Sequence, residues 1–386
     1  MEHFMDNMLS GGVIKPKFLH EISIRRREHW KREIRMKTWL KITVAFLAAT
    51  VVVLGSIASF LLIPRKSSGY ADDIWYGEES FDMSKITVME KAADRDFKIL
   101  AITDVQFDNP FKSKKQIKSD LAKMVEKERP DMIVTVGDNF AGIFNHFHVK
   151  AFVDMMDSFG LPWAPIYGNH ERDFKADLVY LGQQMQQSDL CLFKIGPTNI
   201  DGVGNYFINI HQNGAPIASL IMMDCNEEIF LKDEEGNKAG AYYESPRHSQ
   251  VEWYRDNVNG ITAATGKVVP SVLFTHTPLP QFKTAYDLYN HNSSEVQYMY
   301  GEGEVGGGAI DYGLFDAVLE LGSTRYMFFG HEHENTLGLE YKGIHMCFVV
   351  KTGNFSSYRE GKTGGTIITI SDNGKISSRQ LYASEL

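Results

Sequence analysis

Five short polar clusters in this chain carry the residue types that metal-assisted hydrolysis uses. They are Asp104 with Gln106, Asp138 with Asn139, the run Asn169-His170-Glu171, His276, and the pair His331 and His333 with Asn335 just behind. Each follows an apolar run: FKILAIT, DMIVTV, WAPIY, VVPSVLFT and RYMFF. Taken singly, a buried Asp capping a helix or a satisfied core His explains any one of them. Taken together they supply the mixed nitrogen and oxygen donors that first-row divalent ions bind. The three cysteines, Cys191, Cys225 and Cys347, have no CxxC spacing, so any metal is left to His, Asp, Asn and Glu.

Bringing these clusters to one point requires strands that end at a common edge. Helical patterns, KSKKQIKSDLAKMVEKE and HVKAFVDMMDSF, separate the first three apolar runs. Right-handed crossovers between them align their C-terminal ends, and open α/β sheets bind ligands along that edge. Further runs, NYFINIHQ, ASLIMMDC, HMCFVVKTG and GTIITIS, predict a second sheet packed on the first.

The chain has 386 residues, net charge −9 and 43% hydrophobic residues, the profile of a globular protein. Ile42 to Ile63 is an exception, with no charge in about 22 residues. As a helix it spans roughly 33 Å, enough for a bilayer core, and it is longer than the apolar stretch of a cleaved signal peptide. Arg25, Arg26, Arg27, Lys31, Arg32, Arg35, Lys37 and Lys41 precede it, against Arg65 and Lys66 after it. The positive-inside bias places the N-terminus in the cytoplasm and the rest of the protein outside. The expected organisation is a basic cytoplasmic tail (1–41) facing anionic head groups, a single transmembrane helix (42–63), a linker (64–95) and one domain (96–386). Residues 71–386 hold 28 basic against 44 acidic residues, a net charge of −16. That disfavours nucleic acid as the main partner, since such binding rests on basic patches.

The ordered clusters resemble the calcineurin-like metallophosphoesterase superfamily, whose motifs run D-x-H, G-D, G-N-H-E/D, H and G-H-x-H. The resemblance covers roughly residues 97–372, and its wording is most similar to the purple-acid-phosphatase-like branch. It implies an α/β four-layer sandwich of two mixed β-sheets flanked by helices, here preceded by the membrane helix. It also implies a dinuclear centre of Mn, Fe or Zn, with Asp104, Gln106, Asp138 and His333 around one ion and Asp138, Asn169, His276 and His331 around the other. A metal-bridging hydroxide would then attack phosphorus in a phosphomonoester or phosphodiester. His170 would contact the phosphate and assist the leaving group, Glu171 would orient neighbours or cap a helix start, and Asn139 and Asn335 would lie in or behind the pocket. An anchored site suits a phosphorylated small molecule, a lipid-linked phosphate or an envelope polymer.

Two departures stand out. Gln106 replaces the usual His; on an extended strand residues i and i+2 share a face, so its carbonyl oxygen is expected beside Asp104. Ala141 stands where some relatives carry the acid that pairs with the motif histidine. These departures are the signs for an alternative, a non-catalytic, membrane-anchored binding module, against which the other ligands and His170 stand intact. His146 and His148 read as solvated, the glycine-rich stretch 301–309 as a lid, and Asp224 as part of the second sheet's edge.

Overall fold

The computed structural model describes residues 16–63, 65–67, 81–107, 111–306 and 310–386. The first 15 residues of the basic tail, residues 64 and 68–80 of the expected linker and residues 307–309 of the glycine-rich stretch lie outside them. The chain divides into two units, Met1–Ile63 and Pro64–Leu386.

The described part of the first unit contains one helix, α1 (Pro16–Leu62). Its 47 residues extend about 70 Å at 1.5 Å each, so the basic stretch and the apolar stretch share one uninterrupted helix. The portion His20–Phe60 is long and apolar enough to cross a membrane, a property that a single-pass anchor and a signal sequence have in common. Its apolar side chains, Val44, Phe46, Val51 and Leu54 among them, are exposed.

The second unit begins with β1 (Thr87–Glu90), β2 (Phe97–Ile102), α2 (Phe111–Glu128), β3 (Met132–Val136), α3 (Asn145–Asp157), β4 (Trp163–Ile166) and α4 (Leu178–Met185). Next come β5 (Tyr206–Gln212), β6 (Ala215–Met222), β7 (Glu228–Lys232), β8 (Lys238–Tyr243), α5 (His248–Thr265), β9 (Ser271–Phe274) and α6 (Pro280–Asn290). It finishes with β10 (Val296–Tyr300), α7 (Leu314–Leu321), β11 (Thr324–Phe329), β12 (Gly338–Tyr341), β13 (Ile344–Phe348), β14 (Gly364–Ile370) and β15 (Ile376–Tyr382). One sheet has the order β15-β14-β2-β3-β4, a second the order β1-β5-β6-β9-β11-β13-β12-β10, and β7 and β8 form a separate hairpin.

Periodicity explains the layers. Along β6, β9, β11 and β13 successive side chains alternate between two cores, as the period of a strand requires. Met222, Phe274, Phe328 and Cys347 face the core shared with the five-stranded sheet. Ile221, Leu273, Met327 and Phe348 face the core beneath α5, α6 and α7. On the far side, Ile117, Leu121 and Met124 of α2 and Val149, Phe152 and Met156 of α3 recur at helical spacing and bury against β2, β3 and β4. The result is a four-layer arrangement: helices, five strands, eight strands, helices. One run lies in the five-stranded sheet and not in the second sheet that its sequence suggests. GTIITIS, β14, pairs antiparallel with β2, Ile368 opposite Ile99, because residues 349–352 carry the chain across from one sheet to the other.

Candidate metal centre

β2, β3 and β4 run parallel, as do β9 and β11. All five release their polar clusters at C-terminal ends. The strand geometry itself stops short of the site. Asp104, Gln106, Asp138 and His331 take φ of 49°, 46°, 50° and 71°, a left-handed conformation costing non-glycine residues about 1–2 kcal/mol each. Hydrogen bonds between neighbouring loops hold them there: Asp104 N to Gly137 O at 3.1 Å, Gln106 N to Asp138 O at 2.9 Å, and Gly330 N to His276 O at 2.9 Å. The motif glycines make room. A Cβ on Gly137, itself at φ 81°, would lie 2.5 Å from Nδ1 of His276, and one on Gly168 would run into the Asp138 carboxylate.

The donors converge. Nε2 of His276 lies 3.4 Å from Asp138 Oδ2 and 3.9 Å from Asp104 Oδ1, and Nε2 of His333 lies 3.1 Å from Asp104 Oδ1. Donor atoms of Asp104, Asp138 and His276 all fall within 4.8 Å of one another. Nδ1 of His331 and Oδ1 of Asn169 face each other at 3.0 Å. His276 donates its Nδ1–H to Val136 O at 2.7 Å, which orients the ring and turns Nε2 toward the two carboxylates, where a metal would take the place of its proton. Buried Nε2 of His276 and Oδ1 of Asp104 have no hydrogen bond of acceptable geometry, a costly arrangement unless a cation satisfies them. These residues therefore fit a divalent metal.

Electrostatics point the same way. Burial alone would raise the Asp104 carboxyl, but His276, His333 and Lys351 hold it well below the usual range. For Asp138 burial is likewise outweighed, chiefly by His276, which brings it down to about 2. His276 in turn is pushed up to about 10 by Asp138 and Asp104 against the effect of burial. The two carboxylates thus gather positive charge at one buried point.

Glu171 lies in the first turn of the short helical segment His170–Lys175 and turns its carboxylate toward the loops that carry Asp138 and Gly168. It is fully buried and accepts from Asp138 N at 3.1 Å, Asn139 N at 2.6 Å, Asn139 Nδ2 at 2.9 Å and Gly168 N at 2.7 Å. Burial and the Asp138 charge push it up to about 7, opposed by the Gly168 and Asn139 bonds. Asn139 donates to Ile166 O as well and so ties two motif loops together. Glu171→Ala would take this acceptor from the backbone N–H groups of Asp138, Asn139 and Gly168, at about 1–3 kcal/mol each, while Asn139 Nδ2 keeps Ile166 O. We expect a loss of roughly 3–5 kcal/mol, read as a melting temperature lower by roughly 10 °C; an unchanged melt would contradict this role.

The partner of His170 comes from a position other than 141. Nδ1 of His170 lies 3.0 Å from Asp173 Oδ2, within the short turn His170–Lys175, which kinks at Asp173 and at Phe174, φ 52°. The Asp173 bond, opposed by burial, pushes His170 up to about 9. Asn335 donates to Glu304 O and to Glu332 Oε2 and accepts from Leu337 N, so it turns the chain. Gln106 differs from expectation: its Oε1 accepts from Lys351 Nζ at 3.1 Å, while its Nε2 lies 3.3 Å from His333 Nε2.

Among the described residues near the centre, sequence reasoning missed Asp173, Lys351 and Tyr243, whose ring lies edge-on to His331 at 4.1 Å. For Asp173 a signal existed in the i, i+3 spacing from His170. His146 is buried and His148 half-buried rather than solvated, and burial lowers both, His148 to about 4. Asp224 is a structural anion, accepting from Arg172 and from Val203 N. Of the glycine-rich stretch, the described part is fastened to the last motif, Gly306 N donating to Glu332 Oε1 at 2.8 Å.

Comparison with known proteins gives a consistent picture. A family model described as calcineurin-like phosphoesterase matches residues 97–335. A relative from Arabidopsis thaliana named probable inactive purple acid phosphatase 14 is 25% identical over 295 residues, covering 67% of this chain and 71% of its own. Another, probable inactive purple acid phosphatase 28, is 24% identical over 344 residues, covering 81% and 84%. Among solved structures, a dimetal phosphatase from Danio rerio is similar over 73% of this chain and 98% of its own, with 13% identity and a TM-score of 0.47.

Proposed function

Since the chain belongs to the calcineurin-like phosphoesterase family, we propose that it hydrolyses phosphomonoesters or phosphodiesters at a centre of two divalent ions, Mn, Fe or Zn, on the outer face of a membrane. The observation that carries this reading is the buried pair Asp104 and Asp138 with the bare Nε2 of His276 between them, 3.9 and 3.4 Å away. Asp138 would be shared by both ions, Asn169, His276 and His331 would complete one position, and Asp104 and His333, with Gln106 beside them, would form the other. Bound there, such ions supply a hydroxide near neutral pH and Lewis acidity toward phosphoryl oxygens.

The chain's own residues perform the remaining tasks. His170, held by Asp173 and half-exposed beside the carboxylates, donates a proton to the leaving oxygen and faces the negative charge that develops there. Glu171 fixes the backbone from which Asp138 and Asn139 project. Tyr243 forms an aromatic wall over His331. The charge asymmetry around α1 supports a cytoplasmic N-terminus and an extracytoplasmic domain, where phosphorylated small molecules, lipid-linked phosphates and envelope polymers are the candidate substrates.

The second reading, a non-catalytic binding module, draws support from the Gln106–Lys351 contact. One experiment separates the two. Detergent-purified full chain is assayed on p-nitrophenyl phosphate and its bis-ester after chelation and after supplying each metal. The enzyme reading expects activity restored by metal, with the mono-to-diester ratio indicating the substrate class. Bound metal without turnover on any phosphoester panel would favour the binding module.

A further inference from the structure

Lys351 lies at the point where the chain passes between the two sheets. Val349 N donates to Phe329 O at 2.8 Å, Thr352 N to Thr103 O at 2.9 Å, and Gly364 N to Lys351 O at 2.8 Å, while Lys351 itself bridges Thr103. This crossing buries the lysine, 2% exposed, beneath the first motif. Its Nζ reaches Asp104 O at 3.2 Å and Gln106 Oε1 at 3.1 Å.

An ammonium carries donors and no acceptor, so it can bond only the oxygen of the Gln106 amide. Turning the amide over would set two donors against each other in a buried place. With Oε1 so held, the amide N–H group is aimed at Nε2 of His333, 3.3 Å away, the nitrogen that also faces Asp104 Oδ1 at 3.1 Å, and so crowds the very atom that a metal would use. The other ring nitrogen of His333 faces Ser357 Oγ at 2.9 Å, where its proton has an acceptor. Around Asp104, then, the amide oxygen is turned away, the imidazole nitrogen is engaged, and a fixed positive charge lies close by. The position at Asp138 differs: Nε2 of His276 makes no hydrogen bond, and His331 and Asn169 pair with each other rather than with a lysine, so a metal entering there separates two of its own ligands.

We infer that Lys351 makes the two metal positions unequal: one divalent ion fills the Asp138–Asn169–His276–His331 position first, and the Asp104–His333 position fills only at metal concentrations at least about 10-fold higher, the scale on which groups behind metal ligands act. This rests on the two-position reading proposed above. A like charge beside a divalent ion is also repulsive at short range, which adds to the same difference.

The test is a Mn2+ titration of the chelator-stripped full chain in detergent, following stoichiometry by metal analysis after equilibrium dialysis and the spin coupling of paired ions by EPR. The wild type should take up one equivalent with an isolated-ion signal, then a second at least about 10-fold more weakly. Lys351→Met and Lys351→Gln, which remove the charge and free the amide, should bring the two steps together and show the coupled signal at lower metal. Two variants guard against one failing to fold, and thermal melting identifies a folded one. Two equal steps in the wild type, or an unchanged second step in a folded variant, would overturn the inference and leave the two-position reading standing. No uptake by the wild type would overturn both.

Discussion

Asp138→Asn should lower hydrolysis by at least ~10³-fold, about 4 kcal/mol of lost transition-state stabilisation, in a chain that still folds. The substitution preserves shape, and an amide oxygen at Oδ1 can still accept the 2.9 Å bond from His170 N. The cost to the fold should be modest. His276 brings the Asp138 carboxyl down to about 2, so its charge stabilises the fold, but the same charge raises Glu171 and opposes Asp104, and the substitution relieves both. Asp104 remains to face His276 at 3.9 Å. What disappears is the anion that two neighbouring cations need between them, since they repel at the 3.5–4 Å typical of such centres. Metal content and turnover should therefore fall together, while the melting temperature of the metal-free protein falls only modestly. Turnover retained at the wild-type level would remove Asp138 from the mechanism and the two-ion reading with it.

The order and identity of the five clusters were legible because each is local: an apolar run, a glycine or a polar residue, then the donor. Strand periodicity also foretold two sheets, since β3 reads as the continuous apolar run expected when both faces are covered. What escaped depended on contacts distant in sequence or on backbone conformation. β14 joined the first sheet through pairing with β2, more than 250 residues earlier, and no pattern within GTIITIS specifies a partner. Alternation along a strand suggested how Gln106 would point, yet Asp104 and Gln106 are left-handed and lie past the end of β2, so the rule did not apply. Lys351 reaches Gln106 from 245 residues away, and Tyr243 reaches His331 from a hairpin that no motif marks.

The carboxylate missing at Ala141 illustrates how chemistry can persist when a motif position changes. Its role is available to Asp173, which a kinked turn swings back to the His170 ring and which also accepts from Gly142 N at 2.8 Å. The pair is thus braced from the loop that carries Asp138, and the imidazole is positioned without an acid at position 141.

From this follows the second large effect. His170→Ala should reduce kcat for an alkyl phosphate by roughly 10²–10⁴-fold, the range of general acid catalysis, and much less for p-nitrophenyl phosphate, whose phenolate departs with little help. Metal content should stay at the wild-type level, because the His170 imidazole faces Asp138 Oδ2 from 3.9 Å and the ligand atoms come from other residues. Asp173→Asn keeps the imidazole but replaces the anion that pushes it up to about 9, so its loss should be intermediate and should carry the same dependence on the leaving group. That dependence separates proton donation from simple attraction of the phosphate. A residue that only holds the substrate would raise KM equally for both esters. Equal losses in kcat for the alkyl and aryl esters, with metal retained, would exclude His170 as the acid and leave it a charge that binds phosphate.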